Sequence, residues 1–145
     1  MRVLLDVNIL VRANGKSSGP ARALLLELIA GKHVLLTNAE ILIELARVLR
    51  YPRLRSLFGL SEQDIYSYVQ FLKSAFTLVP NSLARSRAPI GDAADVHVLE
   101  AAINGAADVI CTLDSDFYLP EVVGWCQTMG ITILDDVALL SRLKT

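Results

Sequence analysis

Asp95 is the residue whose type and place are hardest to explain by folding alone. At 100° per residue, Val98, Leu99 and Ala102 lie three, four and seven positions on and share its helical face. A carboxylate inside an apolar stripe is buried, and burying an unpaired charge is expensive. Helix capping is the competing account. Asp92-Ala93-Ala94-Asp95 reads as an N-cap with an acidic third position, which suits Asp92 but suits Asp95 only if its side chain turns back to the backbone. Glu44 lies on the edge of a stripe made by Ile41, Leu42, Leu45, Val48 and Leu49. Its alternative role is a surface salt bridge to Arg47 at i+3, worth roughly a few tenths of a kcal/mol. Asp6 directly follows Val3-Leu4-Leu5, and Asp114 follows Thr112-Leu113; for each, an Asx turn is the ordinary explanation.

Taken together, the four acids make a stronger case than any one of them. All are expected to face one edge of a sheet, and like charges so close need compensation. A hard divalent cation supplies it, since Mg²⁺ and Mn²⁺ prefer carboxylate and water oxygens. Softer metals are excluded: His33 and His97 have no zinc-ligand spacing, and neither Cys111 nor Cys126 belongs to a CxxC pair. Cys111, in Val109-Ile110-Cys111, reads as a small core hydrophobe. Asp64 and Asp136 read as surface carboxylates.

The elements that must position these acids follow from the apolar pattern. Val3-Leu4-Leu5 and Val34-Leu35-Leu36 are short buried strands, and Thr77-Leu78-Val79-Pro80, Val109-Ile110-Cys111-Thr112 and Ile131-Thr132-Ile133 are three further strands. Between them the sequence predicts helices from Pro20 through Ile29, after the Asn38 cap to about Arg50, from the Ser61-Glu62-Gln63-Asp64 capping box to near Lys73, and from Asp92 to about Asn104. A last helix spans residues 136–143, and Tyr51-Pro52 stops the second helix. Strands alternating with helices predict an α/β fold, a central parallel sheet with helices on both faces. Such sheets bind ligands at the carboxyl ends of their strands, where Asp6 and Asp114 fall. At 145 residues the chain is expected to be one domain, 1–145. Its hydrophobic fraction of 53% is high but broken by charge, with no apolar run of the ~20 residues that a membrane crossing needs. Asp6 arrives too early for a secretory leader. A soluble, cytoplasmic protein is expected. Net charge is −1, so any nucleic-acid contact must rely on local rather than bulk positive charge.

In this order and spacing the acidic segments resemble the PIN-domain family, in particular the VapC-like toxins of toxin–antitoxin modules, over nearly the whole chain. Leu5-Asp6-Val7-Asn8-Ile9-Leu10-Val11 resembles the family's opening motif, and Thr37-Asn38-Ala39-Glu40-Ile41-Leu42-Ile43-Glu44-Leu45 its second, with Glu44 as ligand. Asp92 to Asp95 is similar to the third, with Asp95 as ligand. Ala107 to Phe117 resembles the fourth, with Asp114 as ligand and Asp116 accessory. Departures are Val7, where a hydroxyl residue is usual, Asn38 for a usual Ser, and Gly91 where a basic residue is common.

The resemblance implies a PIN-like, Rossmann-like α/β/α sandwich and a Mg²⁺-dependent endoribonuclease, with Mn²⁺ able to substitute. It would hydrolyse single-stranded or structured RNA to leave a 5′-phosphate. Asp6, Glu44, Asp95 and Asp114 hold the metal, while Asn8 and Thr112 orient the ligands. The residue chemistry agrees: no His, Ser or Lys is arranged as a nucleophile, which leaves metal-activated water. A small cognate antitoxin and a homodimer are the implied protein partners. Arg47, Arg50, Arg53 and Arg55 follow the Glu44 helix, and Arg85 and Arg87 precede Asp92; they are either RNA contacts or ordinary solvated arginines. Tyr51, Tyr66 and Tyr68 either stack bases or pack. Two rivals stand beside this reading. A phosphatase with a nucleophilic first-strand Asp wants a second Asp two residues on, where this chain has Asn8. A catalytically silent PIN-like interaction module would be free to lose ligands, yet all four acids are present.

Overall fold

Val3, Leu4, Leu5, Ile110 and Cys111 are buried, because the strands carrying them are covered on both faces. The computed structural model describes residues 1–80, 90–91 and 93–145. Five strands, β1 (Arg2–Leu5), β2 (Val34–Thr37), β3 (Thr77–Leu78), β4 (Val109–Cys111) and β5 (Thr132–Leu134), form one sheet in the order β3-β2-β1-β4-β5. Every pairing is parallel. The expected α/β architecture, a parallel sheet between helices, is what the chain adopts.

Eight helices connect or flank these strands among the described residues: α1 (Val7–Arg12), α2 (Pro20–Ala30), α3 (Ala39–Leu49), α4 (Pro52–Phe58), α5 (Glu62–Ala75), α6 (Ala93–Asn104), α7 (Pro120–Thr128) and α8 (Asp136–Leu143). Right-handed crossovers, the rule for parallel units, put the connecting helices before β3 and those between β3 and β5 on opposite faces, while α8, after β5, packs against α2. The core follows local sequence logic. In α3, Asn38 caps Ile41 N at 2.8 Å, and Ile41, Leu42, Leu45 and Leu49 turn inward. In α5 the Ser61/Asp64 capping box closes both orphan donors. None of the described helices is long and apolar enough to cross a membrane.

Three helices were not expected. Pro52, which reads as a stop, and Pro120 each occupy the first turn of a new helix, α4 and α7, where the missing N–H costs nothing. The third, α1, starts directly after Asp6, whose carboxylate accepts from Val7 N. Asp92, the expected cap of α6, lies outside the described residues.

Strand order reverses beside β1: β2 and β3 extend the sheet one way, β4 and β5 the other. The gap between the carboxyl ends of β1 and β4 is therefore the topological switch point, where α/β sheets bind ligands. Register places Leu5 opposite Cys111, and Asp6 N donates to Cys111 O at 3.0 Å. Asp6 and Thr112 thus leave the sheet side by side.

Close packing behind this edge has a checkable consequence. A Cβ on Gly105, at the end of α6, would stand 2.9 Å from Ala101 O and Leu36 Cδ1, and 3.0 Å from Val79 Cγ2. Gly124, inside α7, has open space around it. Gly105→Ala is expected to cost about 1–3 kcal/mol in urea unfolding, and Gly124→Ala to stabilise by roughly 0.5–1 kcal/mol.

Candidate metal centre

Asp6 is only 6% exposed, and its two oxygens are held separately. Oδ1 accepts from Val7 N at 2.7 Å, and Oδ2 accepts from the Thr112 hydroxyl at 2.7 Å, with Asn8 Nδ2 at a long 3.4 Å. Burial raises the Asp6 carboxyl above its ordinary value; the Thr112 and Val7 hydrogen bonds oppose this, and the charge of Asp114 adds to it. Asn8 Oδ1 accepts from Leu113 N at 3.1 Å, so the loop after β4 is tied back to α1. The Thr112 hydroxyl also accepts from Asp114 N at 3.0 Å, and Asp114 in turn caps the short 3₁₀ turn Ser115–Tyr118 by accepting from Asp116 N at 3.0 Å. Thr112 thus bonds both Asp6 and the Asp114 backbone, and Asn8 bonds the Leu113 backbone between them.

Asp95 sits in the first turn of α6, 7% exposed, with Val98, Leu99 and Ala102 buried around it as its periodicity requires. Its carboxylate meets those of Asp114 and Asp116: one oxygen from each lies within 4.8 Å of the others. Two oxygens on one Mg²⁺ lie at most about 4.2 Å apart, twice a bond of about 2.1 Å. Shifts of a fraction of an ångström would close the three onto such an ion. All three donors are hard anionic oxygens, and among the described residues no His or Cys joins them. The donor set suits Mg²⁺ or Mn²⁺ and does not suit zinc.

These acids open into a cleft of about 750 Å³ lined by Asp6, Glu44, Asp95 and Asp114, the four residues singled out by the sequence. Two of them, Asp95 and Asp114, belong to the close cluster, with Asp116 as the third member. Asp6 stands beside them through Thr112. Glu44 shares the cleft but pairs with Arg47, as its alternative reading had it. Arg47 also donates to the Tyr51 hydroxyl and lies over that ring, 5.4 Å from its centroid. Tyr68 packs, its hydroxyl donating to Leu10 O at 2.6 Å.

Other expectations need correction. Asp136, read as a surface acid, is 6% exposed and lines the cleft from the start of α8. The signal that finds it is the one that found Asp6 and Asp114: it follows an apolar strand. Asp64 closes the α5 capping box at the surface, as its sequence position predicts. Among the expected RNA-contacting arginines, Arg50 is bound to Glu62 at 3.0 Å, as is Arg55 at 3.3 Å. Arg53 lines the cleft, while Arg85 and Arg87 lie outside the described residues. Arg12 and His97 line it too, and sequence reasoning did not select either for this site. Burial pushes the Cys111 thiol far up, in keeping with a core residue.

Comparison with known proteins agrees with this geometry. The family model for the PIN domain matches residues 2–116. The chain belongs to the PIN-domain family. PIN domains are generally nucleases, that is, hydrolases, and the acidic cluster lies at the edge where such chemistry needs it. Among solved structures, VapBC2 from Rickettsia felis, bound to a DNA fragment from their promoter, superposes with a TM-score of 0.60. That match covers 93% of this chain and 98% of the other at 16% identity, and so speaks to the fold. No curated protein matches the chain.

Crowded carboxylates predict a measurable electrostatic load in the metal-free protein. Asp114→Asn keeps the cap, since Asn caps as well as Asp, and removes one charge; it should raise stability by roughly 0.5–2 kcal/mol in EDTA. Saturating Mn²⁺ should reverse that ranking, because only the intact cluster gains the full binding energy. Glu27→Gln, exposed on α2, is the control. For Asp6 the sign is fixed by its raised value. Its contribution is fully present below the ordinary 3.8 and is lost as pH rises through the folded-state value. Asp6→Asn should flatten that loss in melts followed from pH 3.5 upward, with the flattening as the diagnostic because Asn also gives up an acceptor for Thr112.

Proposed function

We propose that this PIN-domain protein is a Mg²⁺-dependent endoribonuclease, with Mn²⁺ able to substitute, that hydrolyses phosphodiesters of single-stranded RNA in the cytoplasm. The observation that carries the reading is the meeting of Asp95, Asp114 and Asp116 beside the buried Asp6 at the sheet's switch point. Asp6, Glu44, Asp95 and Asp114 would hold the ion directly or through water, with Asp116 assisting. When bound there, the ion supplies neutralisation of the anionic phosphodiester and a more acidic water. The protein's own part is positional. Thr112 and Val7 hold the Asp6 carboxylate in one orientation, and Asn8 fastens the Asp114 loop to α1. Tyr118 donates to Thr112 O at 2.8 Å; burial, helped by Asp135, pushes its phenol up to about 12, so it remains a donor at neutral pH.

We further assign the protein as the toxin of a toxin–antitoxin pair, acting as a homodimer. In support, a VapBC assembly shares the fold. Leu26, Ile43, Leu57 and Val137 are also apolar side chains half or more exposed, surface that a partner would cover. An antitoxin with a basic side chain would satisfy the acidic cleft and block it.

Purified protein is expected to cleave single-stranded RNA with Mn²⁺ and to stop when EDTA is added. Asp95→Asn should abolish cleavage while melting within a few degrees of wild type. Cleavage surviving in Asp95→Asn would refute this site; an Mn²⁺-insensitive melt with no cleavage would favour the silent interaction module. In cells, expression alone should slow growth, and co-expression of the adjacent small open reading frame should restore it. A harmless protein whose neighbour does not co-purify removes the toxin assignment and leaves the nuclease one standing.

A further inference from the structure

The cleft is lined by two unlike kinds of charge. Six carboxylates line it, Asp6, Glu40, Glu44, Asp95, Asp114 and Asp136, and these would repel any polyanion. A cation at the cluster offsets only part of that charge, and Arg47 is already committed to Glu44. An RNA strand needs fixed positive groups in the same cleft, and two arginines provide them. Arg12 ends α1 and Arg53 opens α4; both are exposed, both line the cleft, and neither forms an ion pair with a described residue. The other described arginines of the expected basic group, Arg47, Arg50 and Arg55, are neutralised by Glu44 and Glu62.

Beside Arg53, α4 lays Leu54, Leu57 and Phe58 against the same cleft. This helix fully buries none of its residues, and Leu57 is 69% exposed. Cationic forks next to a wall of exposed Leu57 and half-buried Phe58 are the chemistry that binds an unpaired nucleotide. The guanidinium takes the phosphate and the apolar face takes the base, which a duplex would keep stacked inside. A volume of about 750 Å³ leaves room for this beyond the scissile phosphate, being near the upper part of the usual range of roughly 300–1,000 Å³ for ligand sites.

We infer that Arg12, Arg53 and the Leu57/Phe58 face of α4 form a nucleotide subsite that holds the RNA strand next to the cut. This rests on the ribonuclease reading. The subsite explains how a protein of net charge −1 captures RNA: the positive charge is placed within the cleft.

The test is fluorescence anisotropy of a labelled single-stranded RNA 12-mer with Ca²⁺ in place of Mg²⁺, with intact RNA verified afterwards. For single strands each neutralised phosphate contributes about 0.7 to the slope of log K against log salt. Arg12→Gln and Arg53→Gln should each reduce the slope by about that amount and weaken binding about fivefold at 0.1 M salt relative to a 1 M reference. Arg50→Gln, removed from Glu62, should leave binding unchanged. Phe58→Ser should weaken single-strand binding without altering the slope. Melting curves check that the variants fold, and with Mn²⁺ the arginine variants should raise KM more than they lower kcat. If wild type binds RNA and both arginine variants match it in affinity and slope, the subsite is wrong and the nuclease reading survives. If the arginine variants lose only a co-expressed protein partner and keep RNA, the surface is a protein-docking site and the inference is overturned. If wild type neither binds nor cleaves RNA, the ribonuclease reading falls, and the subsite with it.

Discussion

One hydroxyl connects the parts of this site. Thr112 Oγ1 donates to Asp6 Oδ2, accepts from Asp114 N, and lies 3.5 Å from Asn8 Nδ2. A carboxylate as buried as Asp6 is costly unless its oxygens are bonded, and the bond that satisfies Oδ2 comes from the neighbouring strand. It forms only if β1 and β4 are adjacent and in register, with Leu5 opposite Cys111. The sheet's reversal beside β1 makes them adjacent, and the apolar strands, covered on both faces, hold the register. Fold and site therefore share a single constraint. The strand ends at the switch point must be polar, and their polarity must be paired across the gap.

That pairing leaves charge uncompensated. Hydrogen bonds from Thr112 and Val7 lower the cost of an ionised Asp6 but do not cancel burial or the repulsion of Asp114. Asp95, Asp114 and Asp116 crowd their oxygens at the same mouth. A core built for stability alone would not collect acids in this way. On the proposed reading, the load is what makes the site bind a hard cation, a common trade of stability for function. The Arg47–Glu44 pair moderates the load at one wall, and its exposure keeps its own contribution small.

How much of this was legible depended on whether the deciding contact was local. Asp95 was legible because helical periodicity is a property of a few neighbouring residues. Asp6 and Asp114 were legible because an acid after an apolar strand marks the strand's polar end. Asp136 obeys the same rule, but as the second acid of Asp135-Asp136 at a helix start it resembles half of a double cap. Proline hid α4, since the residue that ends one helix also begins the next; only the chain direction in space decides between them. The arginines were illegible for a different reason. Arg50 is neutralised by Glu62, twelve positions away on another helix, and no spacing rule separates it from Arg53, which faces the cleft. Glu44 was left with two roles, and the structure shows it paired with Arg47 at the cleft wall.

The distance along the chain between the parts of the site has a temporal consequence. Asp6 and Thr112 bond across a separation of 106 residues, and β4 must slot beside β1 after β2 has already claimed the other side. Pairings between residues so far apart form slowly, because loop closure must be completed before they contribute. A ribosome releases the chain N-terminus first, at about 5–20 residues per second. For most of that interval the growing polypeptide carries Asp6 and Glu44 as isolated acids on unfinished structure. Any activity that depends on this cleft is therefore born abruptly and late, after β4 has emerged. The topology builds in a delay between synthesis and the completed cleft.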